Sequence, residues 1–352
     1  MTDYHRLLAE LAAPRLTGSP RHARTREALR AELERRGYVV LEHAFPVRLP
    51  GRLAGARYAA GALLWASASA ALARGVPALG GVSVALAALL VLGVALLGRR
   101  ARPESLVGVN LIGVRPRARV TVWVAAHYDS KGQPLSMLWR LAGAVTAVVG
   151  TVTLGVVVAA WVSGVRWSRP TELFLLVPGV VGGLALLQNR ATNSSPGAVD
   201  NASALVTALA VLDRLPATAA VGVLFPDAEE YGLLGARALA RERANLFAGT
   251  ALLNLDGIDD RGPTLCVVHR GGPLVDAVAA ALGARRRRWM PVVVDGSAFA
   301  PVTRECATIM RGDWRTAAVV HTARDTVDRL TLSGCDRVAT GLAQALEGLL
   351  PA

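Results

Sequence analysis

Two short stretches decide the fold: "VAAHYDS" at residues 124–130 and "GAVDNASA" at residues 197–204. The first ends the β-branched run "RVTVWVAAH" (119–127) and reads as the close of a buried strand. The second opens "AVDNASALVTALAVLDRL" (198–215), a helical pattern with the capping-type residues Asp200 and Asn201 near its start. Open α/β sheets collect their functional groups at such strand ends and helix starts. Yet residues 131–196, mostly apolar, separate the two.

The surrounding sequence repeats the alternation. "YVVLEHAFPV" (38–47), "LVGVNLIGV" (106–114), "AAVGVLF" (219–225), "TALLNLD" (250–256) and "TLCVVH" (264–269) read as strands. So do "PVVVD" (291–295), "ATIM" (307–310) and "TAAVVH" (316–321). "EYGLLGARALARER" (230–243) and "SGCDRVATGLAQALEGLL" (333–350) read as helices. Continuous apolar strands alternating with helices predict an α/β fold, a mostly parallel central sheet sandwiched by helices.

That order is interrupted at residues 51–102 and 131–196. Each interruption holds a pair of apolar stretches: 58–73 with 76–98, and 141–165 with 173–188. A spanning helix needs about 20 apolar residues. Stretches 76–98 and 141–165 meet that length; 58–73 and 173–188 are short, and Pro178 breaks the last. For the short pair, re-entrant or interfacial hairpins are the alternative. The reading is one discontinuous domain, residues 1–50, 103–130 and 197–352, cut by two transmembrane helical hairpins. A hydrophobic share of 53% agrees, being high for a soluble enzyme, as does a mean hydropathy of +0.39.

The net charge is +13 and Lys131 is the single lysine. The basic residues are scattered and no nucleic-acid motif accompanies them, so the charge favours an anionic bilayer surface over nucleic acid. Eight basic residues flank the apolar stretches on the domain side, from Arg52 to Arg190, against Arg74, Arg166 and Arg169 at the tips. The positive-inside rule then puts the domain on the cytoplasmic face of the membrane. Cys266, Cys306 and Cys335 have no metal spacing and read as reduced thiols. The charged start, residues 1–37, lacks an early apolar core and reads as folded protein rather than a signal peptide.

The chemistry lies in the polar residues at strand ends. His127 and Asp129 are two apart, on one face of an extended chain. Glu229 and Glu230 follow the strand 219–225, Asp256 ends 250–256, and His321 ends 316–321. Each has a bland alternative: Asp129 and Asp256 as turn formers, Asp200 as an N-cap, the glutamates as solvated, His321 as a core histidine. Together they are more specific. Two histidines and three acidic ligands at the edge of one sheet suit a pair of zinc ions sharing a carboxylate. A further carboxylate is then free to act as general base.

Six segments carry a family resemblance: "RLTGSPRHARTREALRAELERRGY", "AAHYDS", "GAVDNASA", "FPDAEEYGLLGARAL", "LLNLDGID" and "VVHTARDTVDRL". In this order they resemble the motifs of the di-zinc exopeptidases related to bacterial aminopeptidase S and vacuolar aminopeptidase Y. The resemblance covers residues 1–48, 104–130 and 197–350. It implies two zinc ions, with cobalt or manganese as substitutes. His127 and Asp256 would each complete one site, Glu230 and His321 would be divided between them, and Asp200 would bridge. It further implies Glu229 as general base and Asp129 as the carboxylate orienting His127. The partners implied are a peptide substrate and the lipid bilayer. A cyclase of amino-terminal glutamine, another amide hydrolase and an inactive scaffold share this fold and stand as alternatives.

Two features depart from the family. Val320 stands where a tyrosine often helps hold the oxyanion, and the hairpins are additions. "DGSAF" (295–299) loosely resembles the substrate-side loop, but no residue is assigned to substrate binding. Neither the natural substrate nor the oligomeric state is legible.

Overall fold

The computed structural model describes residues 2–48, 51–72, 82, 85, 87–89, 105–116 and 119–347. It divides into two compact units, one comprising 1–47, 105–132 and 192–352, the other 48–104 and 133–191.

The larger unit is built on eight strands in spatial order β1-β2-β4-β3-β5-β8-β6-β7. They are β1 (Val39–Arg48), β2 (Ser105–Val114), β3 (Val122–Ala125), β4 (Val221–Phe225), β5 (Ala251–Ile258), β6 (Thr264–Arg270), β7 (Arg285–Arg287) and β8 (Glu305–Arg311). β4, β3, β5 and β8 run parallel, whereas β2 pairs with β4 and β6 with β8 antiparallel. The central strands are buried along their length, as a sheet covered on both faces requires. A helix over Leu234–Glu242 and a short one over Gly296–Phe299 cover one face. There Leu239, Phe247 and Phe299 pack on Trp123, Leu224 and Leu252. Helix Ser203–Arg214 packs on β5 and on helix Ser333–Glu347. All three cysteines are buried and unpaired.

Two apolar runs are not strands. Residues 316–321 follow a capping box in which Asp313 accepts from the Thr316 N–H and Thr316 Oγ1 accepts from the Asp313 N–H. That local pairing starts a helical turn at Trp314–Ala317 and overrides the β-branched composition. Residues 291–295 begin with Pro291, which has no N–H to offer a ladder. Their carbonyls at Val294 and Asp295 instead accept the first turn of Gly296–Phe299. The sheet edge is taken by β7, whose three arginines are exposed; edge charge of this kind discourages pairing with another chain.

The smaller unit contains helices over Gly51–Leu72, Met137–Val162 and Arg169–Leu187. The last two are long and apolar enough to cross a membrane, at 26 and 19 residues. The short stretch 173–188 becomes a full-length helix because Ser168 caps it and Pro170 occupies its first turn, with Pro178 accommodated inside. The two helices touch at backbone distance: a Cβ on Gly150 would lie 2.2 Å from the Gly179 nitrogen. Trp161 Nε1 donates to the buried Glu172 Oε1 at 3.1 Å. Val148, Val152, Phe174 and Val177 remain exposed. In the first interruption the apolar part of Gly51–Leu72, Ala59–Ala71, is shorter than a span, and most of the stretch 76–98 lies outside the described residues.

Candidate metal centre

Beyond β3 the chain stays extended beside β4, with Ala126 N–H donating to Leu224 O and Tyr128 N–H to Pro226 O. This carries His127 and Asp129 to the carboxyl edge of the sheet. Asp256 arrives on β5. Glu229 and Glu230 arrive on a tight turn after β4, entered through Ala228 and left through Gly232, both at positive φ. His321 itself has φ 65°, a left-handed conformation that residues other than glycine adopt only occasionally.

All five predicted ligands meet. His127, Asp200 and Asp256 form one triad, and Asp200, Glu230 and His321 another, with ligand atoms in each within 4.8 Å of one another. Asp200 belongs to both. Its Oδ1 lies 3.3 Å from His127 Nε2 and its Oδ2 3.0 Å from His321 Nε2. His321 Nε2 is also 3.1 Å from Glu230 Oε1, and His127 Nε2 is 3.9 Å from Asp256 Oδ1. Asp200 does not cap the helix that follows. The Val199 and Asp200 N–H groups donate instead to the Asp325 carboxylate, at 2.7 and 3.1 Å, leaving both Asp200 oxygens for the site.

Asp129 does two things at once. Its Oδ1 and Oδ2 accept the N–H groups of Glu229 and Glu230 at 3.1 and 3.2 Å, fixing that turn. Its Oδ1 also lies 3.4 Å from His127 Nδ1, while its own carbonyl is closer, at 3.2 Å. Both acceptors favour the proton on Nδ1, which turns the Nε2 lone pair toward the carboxylates.

The gap between the two deciding stretches closes at its base. Gly132 and Thr192 exchange N–H···O bonds at 2.7 and 2.8 Å, so the inserted residues leave and return at one point. A Cβ at Gly132 would lie 2.1 Å from Ser194 Oγ and 2.9 Å from the Ser194 nitrogen, so a larger residue there would force this join to shift. Arg15, fully buried, completes the join. Its guanidinium donates to the carbonyls of Tyr128 (2.8 Å), Pro196 (2.6 Å) and Gly197 (3.0 Å), binding the His127 turn to the Asp200 turn. Lys131 Nζ lies 2.9 Å from Glu230 Oε2. Sequence reading missed Arg15, Asp325 and Lys131 as parts of the site. The signal available for Lys131 was its being the sole lysine among 39 basic residues.

The electrostatics are those of a donor set for a cation. Burial works against ionised Asp200, yet hydrogen bonds from His127 and His321 outweigh it and hold its pKa well below the usual range. Glu230 is likewise opposed by burial but held down to about 2 by His321 and Lys131. Glu229, outside both triads, is raised well above the ordinary value, chiefly by burial. Carboxylate oxygens and imidazole nitrogens gathered around one shared aspartate fit zinc.

Burial also pushes Asp256, Asp295 and Asp325 to about 7, 8 and 6. Each binds its proton more tightly folded than unfolded, where a carboxyl titrates near about 3.9. The stability they contribute is complete below that value and lost as pH rises through their folded pKa values. His127 and His321, also raised, act in the same direction. Metal-free protein is therefore expected to melt at falling temperature from about pH 5 to about pH 9. Zinc, which binds deprotonated ligands, should reverse the trend. Scanning fluorimetry with and without zinc checks this; a flat metal-free profile would contradict it.

A mostly parallel α/β sheet with this donor set at its carboxyl edge defines a metallohydrolase of the zinc-exopeptidase class. Residues 181–346 match the model of peptidase family M28. The fold is similar to that of a zinc aminopeptidase from Bacillus subtilis, with TM-score 0.56 and 12% identity over 98% of this chain and 93% of that one. It is similar to an aminopeptidase from Aneurinibacillus sp. strain AM-1, with TM-score 0.54 and 14% identity over 97% and 92%. It is also similar to a glutaminyl cyclase from Porphyromonas gingivalis, with TM-score 0.55 and 13% identity over 99% and 97%. No curated protein sequence matches the chain.

Proposed function

We propose that the chain is a membrane-anchored aminopeptidase working with two zinc ions. The observation that carries this reading is the pair of triads sharing Asp200. His127 and Asp256 would hold one ion, Glu230 and His321 the other, with Asp200 between them and Asp129 orienting His127. Bound zinc supplies Lewis acidity toward the substrate carbonyl and lowers the pKa of water. Glu229 takes the proton of the attacking water and returns it to the leaving amine. Val320, a hydrocarbon, donates nothing to the oxyanion. Cobalt or manganese would fit the same donors.

The exposed apolar faces of Met137–Val162 and Arg169–Leu187 support the bilayer as a partner, since such surface is costly in water. The excess of basic residues on the domain side supports a cytoplasmic active site. A phosphatase reporter at the N-terminus tests that orientation: activity there would reverse it.

Detergent-purified protein should release nitroaniline from aminoacyl-nitroanilides, lose that activity to a chelator and regain it with zinc. A zinc-loaded chain that cleaves none of them ends the reading. The second reading, cyclisation of amino-terminal glutamine, is favoured by the fold shared with glutaminyl cyclases. Ammonia release from a glutaminyl peptide, with one zinc per chain, would select it. The filled ligand positions speak against an inactive scaffold.

A further inference from the structure

The single lysine among 39 basic residues is buried against a ligand of the second triad. Lys131 and Glu230 meet through three contacts. The Lys131 N–H donates to Glu230 Oε1 at 3.1 Å. Its ammonium donates to the Glu230 carbonyl at 2.9 Å and lies 2.9 Å from Glu230 Oε2. Asp129, two residues earlier, accepts the Glu230 N–H at 3.2 Å. Residues 129–131 therefore hold both backbone polar groups of Glu230 and both of its carboxylate oxygens. Those two oxygens are not equivalent. Oε1 lies 3.1 Å from His321 Nε2, the nitrogen that also stands 3.0 Å from Asp200 Oδ2. It is the oxygen on the triad's side, and one N–H donor leaves it a further lone pair. Oε2 is taken by a full positive charge, which keeps a second cation from it.

The choice of lysine in a chain that otherwise uses arginine has a chemical reason. The planar guanidinium fork pairs with both oxygens of a carboxylate at once. An ammonium is a point charge and reaches one of them, leaving the other for a metal. A catalytic metal site also has to keep a coordination position open. A glutamate that grips its ion with both oxygens would fill that position. We propose that Lys131 is a positioning residue that restricts Glu230 to one oxygen on its ion and so keeps a place there for water or substrate. The inference rests on the two-ion aminopeptidase reading and assigns a cause to the geometry of one of its ions.

The test reads coordination rather than turnover alone. Full-length protein is loaded with cobalt, whose visible absorption follows the number and arrangement of its ligands, and bound metal is counted on the same sample. Lys131→Met, similar in length but uncharged, releases Oε2. It should keep two ions per chain, because a repelling charge is gone, and should show weaker absorption, as an added ligand produces. Its kcat on an aminoacyl-nitroanilide should fall about 10–100-fold, the range for losing an outer-sphere partner. Lys131→Arg keeps the charge but occupies both oxygens, so it should hold one ion per chain. In His321→Ala, which retains only the ion on His127, Asp200 and Asp256, adding Lys131→Met should leave the absorption unchanged. The proposal is overturned if Lys131→Met keeps the wild-type absorption or loses an ion, if Lys131→Arg holds two ions, or if the spectral change persists in His321→Ala. Failure of the aminopeptidase reading would look different: two ions and the expected change in absorption, with no hydrolysis of leucyl-nitroanilide by the wild-type chain.

Discussion

Glu229→Gln is expected to lower kcat by about 10²–10⁴-fold, the range of a lost general base, while zinc content stays at the wild-type level. The substitution keeps the size of the side chain and removes only its ability to take a proton. It leaves the local backbone in place, because the Glu229 and Glu230 N–H groups are held by Asp129, not by the Glu229 side chain. It leaves the donor set in place too, since Glu229 belongs to neither triad. Steady-state kinetics on an aminoacyl-nitroanilide, paired with metal analysis of the same preparation, reads both quantities. A kcat within about tenfold of wild type would remove Glu229 from the role of base. Loss of zinc would make it a ligand instead.

Asp200→Ala should cost more, because one side chain serves both triads. Zinc affinity should fall by more than the roughly 10–100-fold that losing an outer-sphere partner costs, and activity should fall with it. His321→Ala removes a donor from one triad only and should leave a single zinc on His127, Asp200 and Asp256. Equilibrium dialysis against zinc therefore distinguishes the sites: two ions per chain in wild type, one in His321→Ala, none held tightly in Asp200→Ala. The Asp200 backbone is anchored by Asp325 whatever its side chain, so the variant should still fold. Wild-type zinc content in Asp200→Ala would contradict a shared ligand.

The residues that form the two triads are legible in the sequence because most of them end an element whose type the local pattern sets. A buried strand brings its last polar residue to the sheet edge, and His127, Glu230 and Asp256 all follow apolar runs that form strands. The same logic misread His321. The pattern puts it at a strand end, whereas it sits in a turn at positive φ, reached because Asp313 and Thr316 cap each other. Its Nε2 nonetheless lies 3.0 Å from Asp200 Oδ2 and 3.1 Å from Glu230 Oε1.

The sequence by itself determined the alternation of strand and helix, the two apolar interruptions and the set of candidate ligands. These follow from hydrophobic periodicity and from residue chemistry, which act over a few positions. Only the tertiary structure decided that Arg15 ties the His127 turn to the Asp200 turn, that Asp325 rather than Asp200 serves the helix start, and that Lys131 lies on Glu230. It alone decided that Asp295 is buried without a donor. Buried polar groups must find partners wherever the fold brings them. Those partners lie up to 182 positions away in the chain, beyond the reach of any local pattern.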